Sequence, residues 1–154
     1  MNQKTLLLLV NAIVYKASAL KEKLIFAKSA PVNYACIFSQ NNTQYNEFVA
    51  TAAKMGKLIR QTSTGPIFRT PTIKTCCGDL QLLKIRKPDP SRPELGDADF
   101  TVKDYSKFKK KYLDKPGFKL IQRENFEMME FFDGKDDVRV YFSNPPLQQQ
   151  LGNG

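Results

Sequence analysis

Near the N-terminus the apolar positions recur with the period of a helix. Leu6, Val10, Ile13, Ala17, Leu20 and Leu24 are spaced 4, 3, 4, 3 and 4 residues apart, which places them on one face of an amphipathic helix. The spacing predicts a docking helix within residues 1–30. Beyond it the period shortens. Tyr34 to Phe38 is a β-rich run, and Asn42 or Thr43 can then cap a helix carrying Tyr45, Phe48 and Ala52 and stopping at Gly56. Leu58-Ile59, a turn at Thr64-Gly65-Pro66, the run Ile67 to Arg69, a loop holding Pro71 and Gly78, and a strand from Leu80 to Arg86 complete a β-α-β-β-β series.

The second half repeats the series. Ala98 to Val102 is β-rich, Asp104 caps a helix with Tyr105 and Phe108 at the spacing of Tyr45 and Phe48, and Gly117 follows as Gly56 does. Lys119-Leu120-Ile121, a strand from Phe126 to Phe132, an Asp133-Gly134 turn and a strand from Val138 to Phe142 close it. The run GKLIRQ at Gly56 is echoed by GFKLIQR at Gly117. Asn33 and Asp97 lie 64 positions apart, Tyr45 and Tyr105 60, Leu58 and Leu120 62, and Arg86 and Tyr141 55, with the drift confined to loops. The expected organisation is an amphipathic helix (1–30), a first βαβββ module (31–90), a linker (91–96), a second module (97–147) and a flexible tail (148–154). Pro88, Pro90, Pro93 and Gly96 mark the connection, because they cannot continue a central strand. The two modules are expected to pack as one α+β domain.

Composition narrows the chemistry. The chain has 154 residues, 42% hydrophobic and 25% charged, the balance of one globular domain. No apolar run approaches the length of a membrane span, so no membrane partner is expected. Lys4, the run Leu6 to Val10 and Ala17-Ser18-Ala19 imitate a secretory signal. The apolar face continues past that cleavage site, so the segment is read as a retained helix and the location as cytoplasmic. Cys36, Cys76 and Cys77 form neither a zinc spacing nor a disulfide framework. There is no histidine, which removes the imidazole ligand, the Ser-His triad and the histidine base together. The formal net charge of +9 permits an acidic partner or nucleic acid, although nucleic acid is not favoured. Lys107, Lys109, Lys110, Lys111 and Lys115 are read first as the solvated face of a helix that buries Tyr105, Phe108 and Tyr112.

Asp97-Ala98-Asp99-Phe100-Thr101-Val102, the helix from Asp104-Tyr105 to Tyr112 and the run Pro116 to Ile121 resemble the first strand, helix and second-strand opening of a vicinal oxygen chelate module. That superfamily contains glyoxalases, ring-cleaving dioxygenases and bleomycin-resistance proteins, and the resemblance covers about residues 32 to 142. It implies a curved mixed sheet around a cavity, with helices outside. Metal-dependent members carry histidines on the first strand of each module and a glutamate on a late strand. Those places fall here on Asn33, Asp97 and Arg86, with Tyr141 as the counterpart of Arg86. An arginine is permanently cationic and has no lone pair to offer, so the resemblance points to the metal-free binding branch, with no metal and no cofactor.

Strand alternation assigns the faces. Ala98, Phe100, Val102, Leu83, Ile85, Val138, Val140 and Phe142 are expected under the helices. Asp97, Asp99, Thr101, Leu82, Lys84, Arg86, Asp137, Arg139 and Tyr141 are expected on the cavity side. The expected ligand-binding set is Asn33, Lys84, Arg86, Asp97, Asp99, Arg139 and Tyr141, suited to an anionic or polar small molecule. In the competing reading these charges pair across the sheet, with Arg86 against Asp97. Two further function classes stay open. One is a lyase, isomerase or dioxygenase-like enzyme using Asp97, Asp99 or Glu130 as base and Tyr141 as proton donor. The other is a basic interaction module that uses its outer surface. Of Glu127 and Glu130 one is read as a solvent carboxylate and the other as a sheet-face partner, Met128 and Met129 as core, Arg60, Arg69 and Arg123 as a scattered basic rim, and Thr64-Gly65-Pro66 as a turn only. Exposed sheet edges would allow a homodimer.

Overall fold

Asn2 starts the first helix by accepting a hydrogen bond from Thr5 N at 2.8 Å, which satisfies one of the free N–H groups of the first turn. The computed structural model describes residues 1–151, and this helix, α1, spans Gln3–Lys21. It ends a turn before Leu24. There Lys21 points inward, its Nζ donating to Lys28 O at 2.8 Å and Ala30 O at 3.0 Å and lying 5.1 Å from the Phe100 ring. These contacts draw 22–30 back against the body of the fold through a single 3₁₀ turn at Ile25–Ala27, with Leu24 buried.

The first module follows as β1 (Val32–Phe38), α2 (Asn42–Met55), β2 (Lys57–Thr62), β3 (Gly65–Thr75) and β4 (Gly78–Arg86). The second is β5 (Gly96–Phe100), α3 (Tyr105–Tyr112), β6 (Phe118–Gln122), β7 (Glu127–Phe131) and β8 (Val138–Asn144). One eight-stranded mixed sheet results, in the order β2-β3-β4-β1-β5-β8-β7-β6. β1 runs parallel to β4, β5 runs parallel to β8, and β1 meets β5 antiparallel at the centre. The α+β class, the N-terminal helix and the curved, unclosed sheet are as the sequence predicts.

The face assignments hold within the central strands, but Asp137, expected on the cavity side just before β8, instead pairs with Lys16 of α1 at 3.3 Å. Leu83, Ile85, Ala98, Phe100, Val138, Val140 and Phe142 share the main core with Leu6, Val10, Ile13 and Ala17 of α1 and with Phe48, Ala52 and Phe108 of α2 and α3. The opposite face carries a smaller cluster of Tyr34, Cys36, Phe38, Ile67 and Leu82. Gly96 shows how tightly the centre is packed, since a Cβ there would overlap the carbonyl oxygen of Cys36 on β1.

Four details differ from the sequence reading. Gly96, expected in the connection, opens the central strand β5 and pairs with both Ile37 and Val138, its missing side chain allowing the close approach to Cys36. Asn41, rather than Asn42 or Thr43, caps α2, accepting from Gln44 N at 2.8 Å. β3 runs on through Pro71 because that residue falls where the β3–β4 ladder shifts register, between Arg69 and Ile73, and a bulge needs no ladder donor there. Part of the segment read as a flexible tail is helical. Leu147–Leu151 forms α4, whose Leu151 is buried against the Tyr34, Cys36 and Phe38 cluster, while 152–154 lie outside the described residues.

Candidate functional site

The strand ladders set the rows of side chains on the concave face. One row crosses the sheet as Ile67, Lys84, Cys36, Asp97 and Arg139. The next holds Tyr34, Asp99, Tyr141 and Glu130. Between these rows and the β2–β3 turn lies a cavity of about 350 Å³, lined by Tyr34, Lys84, Arg86, Arg92, Asp97, Asp99 and Tyr141, with Thr62 to Thr64, Ile121, Arg123 and Met128 at its sides.

Five of the seven expected residues line this cavity and two do not. Arg139 is held elsewhere. Its guanidinium donates through Nε to Glu94 Oε1 and through NH1 to Glu130 Oε2 at 3.5 Å, and it lies 4.4 Å from the Phe132 ring. Asn33 sits behind the floor, because β1 shifts register between Val32 and Tyr34. Its Nδ2 donates to Asp99 Oδ2 at 2.7 Å and Thr101 Oγ1 at 2.9 Å, and its Oδ1 accepts from Gln148 N at 3.4 Å. The expected Arg86–Asp97 pair is also replaced: Arg86 NH2 lies 3.4 Å from Asp89 Oδ2.

The same ladders correct the matching of the halves. Arg86 stands beside Phe38 and Tyr141 beside Asp99. Matching Arg86 with Tyr141 therefore matches Cys36, not Asn33, with Asp97. Opposite Asp97 on β1 is a thiol that burial keeps protonated by raising its pKa well above the usual range.

The two aspartates of β5 have opposite surroundings. Asp99, fully buried, accepts from Ser143 Oγ at 2.5 Å, Ser143 N at 3.0 Å and Asn33 Nδ2. Burial still outweighs these donors and pushes its pKa to about 7. Asp97 is 8% exposed and makes no hydrogen bond or ion pair among the described residues. Burial pushes it to about 7 as well, against the fields of Arg92, Lys84 and Arg86.

Those cations are only partly engaged. Lys84 Nζ donates to Thr64 Oγ1 at 2.5 Å and has no carboxylate partner, and burial lowers its pKa. Arg86 Nε is buried with no partner among the described residues, an arrangement that carries a desolvation cost. Arg92 NH1 donates to Tyr141 OH at 3.3 Å, and its guanidinium lies 5.6 Å from the Phe38 ring. Tyr141 in turn donates to Glu130 Oε2 at 2.6 Å, and burial, the Asp97 charge and that bond raise its pKa far above the ordinary phenol.

Ion pairs and hydrogen bonds within the protein thus claim Arg139, Asp99, Asn33 and Tyr141, and leave Lys84, Arg86 and Asp97 only partly satisfied beside the cavity. Sequence reasoning missed Tyr34, Arg92, Glu94 and the role of Thr64. Tyr34 was within reach of it, since it alternates with Cys36 and Phe38 on β1. Arg92 and Glu94 lie in the proline-rich connection, where no periodicity assigns a face.

The donor set does not suit a divalent metal. Arg86 offers only N–H groups, both polar atoms of Asn33 are engaged, and Asp97 is left as a single free oxygen ligand. Among the described residues no three His, Cys, Asp or Glu side chains converge.

No family model and no curated protein matches the sequence. Two solved structures are similar to the fold. A structural-genomics protein, EC4020, superposes with a TM-score of 0.69 at 11% identity, over 93% of this chain and 86% of its own. An extradiol ring-cleaving dioxygenase from B. fuscum gives a TM-score of 0.42 at 12% identity, over 73% of this chain and 33% of its own. Likeness at such identity concerns architecture, and the chemistry rests with the side chains.

Proposed function

We propose that the concave cavity binds an anionic small molecule without a metal, its negative group held by Lys84, Arg86 and Arg92. The observation that carries this is a trio left partly satisfied: Asp97 buried without a protein partner, half-buried Arg86 with a free Nε beside its contact to Asp89, and half-buried Lys84 with a single hydroxyl. Buried polar groups are normally satisfied within the protein, so several left open around one cavity suit a ligand that completes them. Asp97, with its pKa near 7, is the proton-bearing member of the site. Held neutral it can donate to the bound anion. The reading agrees with the metal-free binding branch of the vicinal oxygen chelate resemblance, and the free thiols of Cys36, Cys76 and Cys77 suit a cytoplasmic location. An enzymatic reading would use Asp99 or Tyr141 beside Asp97, but Asp99 is held by Ser143 and Asn33, and Tyr141 directs its proton at Glu130.

Calorimetric titration with sulfate and succinate, using glycerol as the uncharged comparison, tests the proposal. Both anions should bind while glycerol does not, and Lys84→Met and Arg86→Met should each weaken binding about tenfold or more. Equal responses to glycerol, or anion affinities unchanged in both variants, would overturn it.

A further inference from the structure

The lysine-rich helix α3 divides into two parts. Lys109 turns to Glu127, at 2.8 Å. Lys107, Lys110 and Lys111 stay exposed, as do the nearby Lys28 and Lys103, and none has an ion pair among the described residues. The neighbouring 3₁₀ turn presents Ile25, 74% exposed, and Phe26, 48% exposed. Lys107 and Lys111 hold their Nζ atoms 5.5 and 5.9 Å from the Phe26 ring, and Tyr112 meets that ring edge-on with centroids 6.2 Å apart. A cavity of about 220 Å³ opens beside it, lined by Ser29, Lys103 and Lys107 among others. Asp104, also on its wall, accepts from Lys107 N as the α3 cap.

We propose that this face, the Ile25-Phe26 turn flanked by the lysines of α3, docks reversibly on an anionic lipid surface. The proposal is independent of the cavity reading. Lysine stems lying along an aromatic ring can let the ring enter the acyl boundary while the ammonium groups reach the headgroups. Anionic headgroups complement the five unpaired cations, each of which adds attraction near such a surface. Ile25, more exposed than any other large apolar side chain described, gains burial in an acyl boundary that the phosphate backbone of a nucleic acid does not offer. The Phe26 ring, already attended by two ammonium groups and Tyr112, is also poorly placed to stack on a base. The proposal departs from the expectation of no membrane partner, which rested on the lack of a span, and no helix among the described residues is long and apolar enough to cross a membrane. A surface contact needs no such helix.

Flotation of the full chain with vesicles of phosphatidylserine and phosphatidylcholine in equal parts, and of phosphatidylcholine alone, tests it. Binding should require phosphatidylserine and weaken with added salt. Ile25→Ser/Phe26→Ser and Lys107→Glu/Lys111→Glu should each lower partition roughly tenfold or more, with the fold retained by circular dichroism, since Ile25, Lys107 and Lys111 are exposed and Phe26 is half-exposed. Leu8→Ser, an exposed apolar position on α1, should bind as wild type. The proposal is overturned by absent or phosphatidylserine-independent binding, by unaffected double variants, or by an equal loss in Leu8→Ser. It is also overturned if Ile25→Ser/Phe26→Ser dissociates a dimer or abolishes retention on duplex DNA while vesicle binding is unchanged.

Discussion

Phe142→Ala is expected to lower the unfolding free energy by about 3–5 kcal/mol, the range for emptying an aromatic site in a packed core. Phe142 is fully buried on β8, with its ring centroid 4.5 Å from Phe108 of α3 and 6.3 Å from Phe100 of β5. The contacts continue from Phe108 to Tyr112, to Phe118 of β6 and to Phe131 of β7. These ring contacts join the helix to every strand of the second module, so the cavity left at Phe142 has little freedom to collapse. In a chain of this size the loss corresponds to a fall in Tm of about 10 °C. Denaturant unfolding measures it, with Leu8→Ala on the exposed side of α1 as the comparison. A loss below about 1 kcal/mol would mean that α3 is not packed on β8 as described.

Asp97→Asn is expected to have the opposite sign and to stabilise the protein at alkaline pH. A carboxyl whose folded pKa stands near 7, against an ordinary 3.8, holds its proton more tightly folded than unfolded. Stability therefore declines as pH rises from the unfolded value through the folded one, by roughly 1.4 kcal/mol per unit, and then levels. Asparagine has no such dependence. Its advantage should be absent near pH 4, grow between about pH 4 and 7, and reach roughly 2–4 kcal/mol above that. Unfolding curves for both proteins across this range make the comparison. A variant less stable than wild type at pH 8 would show that Asp97 is ionised and paired with Lys84, Arg86 or Arg92 in the free protein. Retaining a carboxylate at a cost to stability is what a binding site does and a structural ion pair does not.

How much of this was legible in the sequence follows from where periodicity operates. The apolar spacing of α1 and the alternation on β4, β5 and β8 placed Lys84, Arg86, Asp97, Asp99 and Tyr141 on one face, and all five line the cavity. Alternation cannot see a register shift. The bulge at Val32 and Tyr34 put Asn33 behind Asp99 and brought Tyr34 and Cys36 forward, which also displaced the matching of the halves. Nor can it choose partners. Arg139 was rightly placed on the concave side, yet its fate depends on Glu94, 45 residues away in a segment with no regular structure. Arg92 comes from that segment too, and Asp89, which takes Arg86 from Asp97, lies just before it. The second-half aromatics gave α3 its buried side, but only the structure set exposed Ile25 and Phe26 beside its lysines.

The most direct test of the cavity account is the affinity for sulfate, whose charge is constant across neutral pH, measured calorimetrically from about pH 6 to about pH 9 in wild type and in Asp97→Asn. Asp99 and Lys84 also face this region with shifted pKa values, so the Asp97 variant is what isolates one group. The account predicts that wild-type affinity holds below pH 7 and falls toward tenfold per unit above it, as Asp97 ionises beside the bound anion, and that Asp97→Asn largely removes the fall. Wild-type binding independent of pH, or no sulfate binding at all, would contradict it.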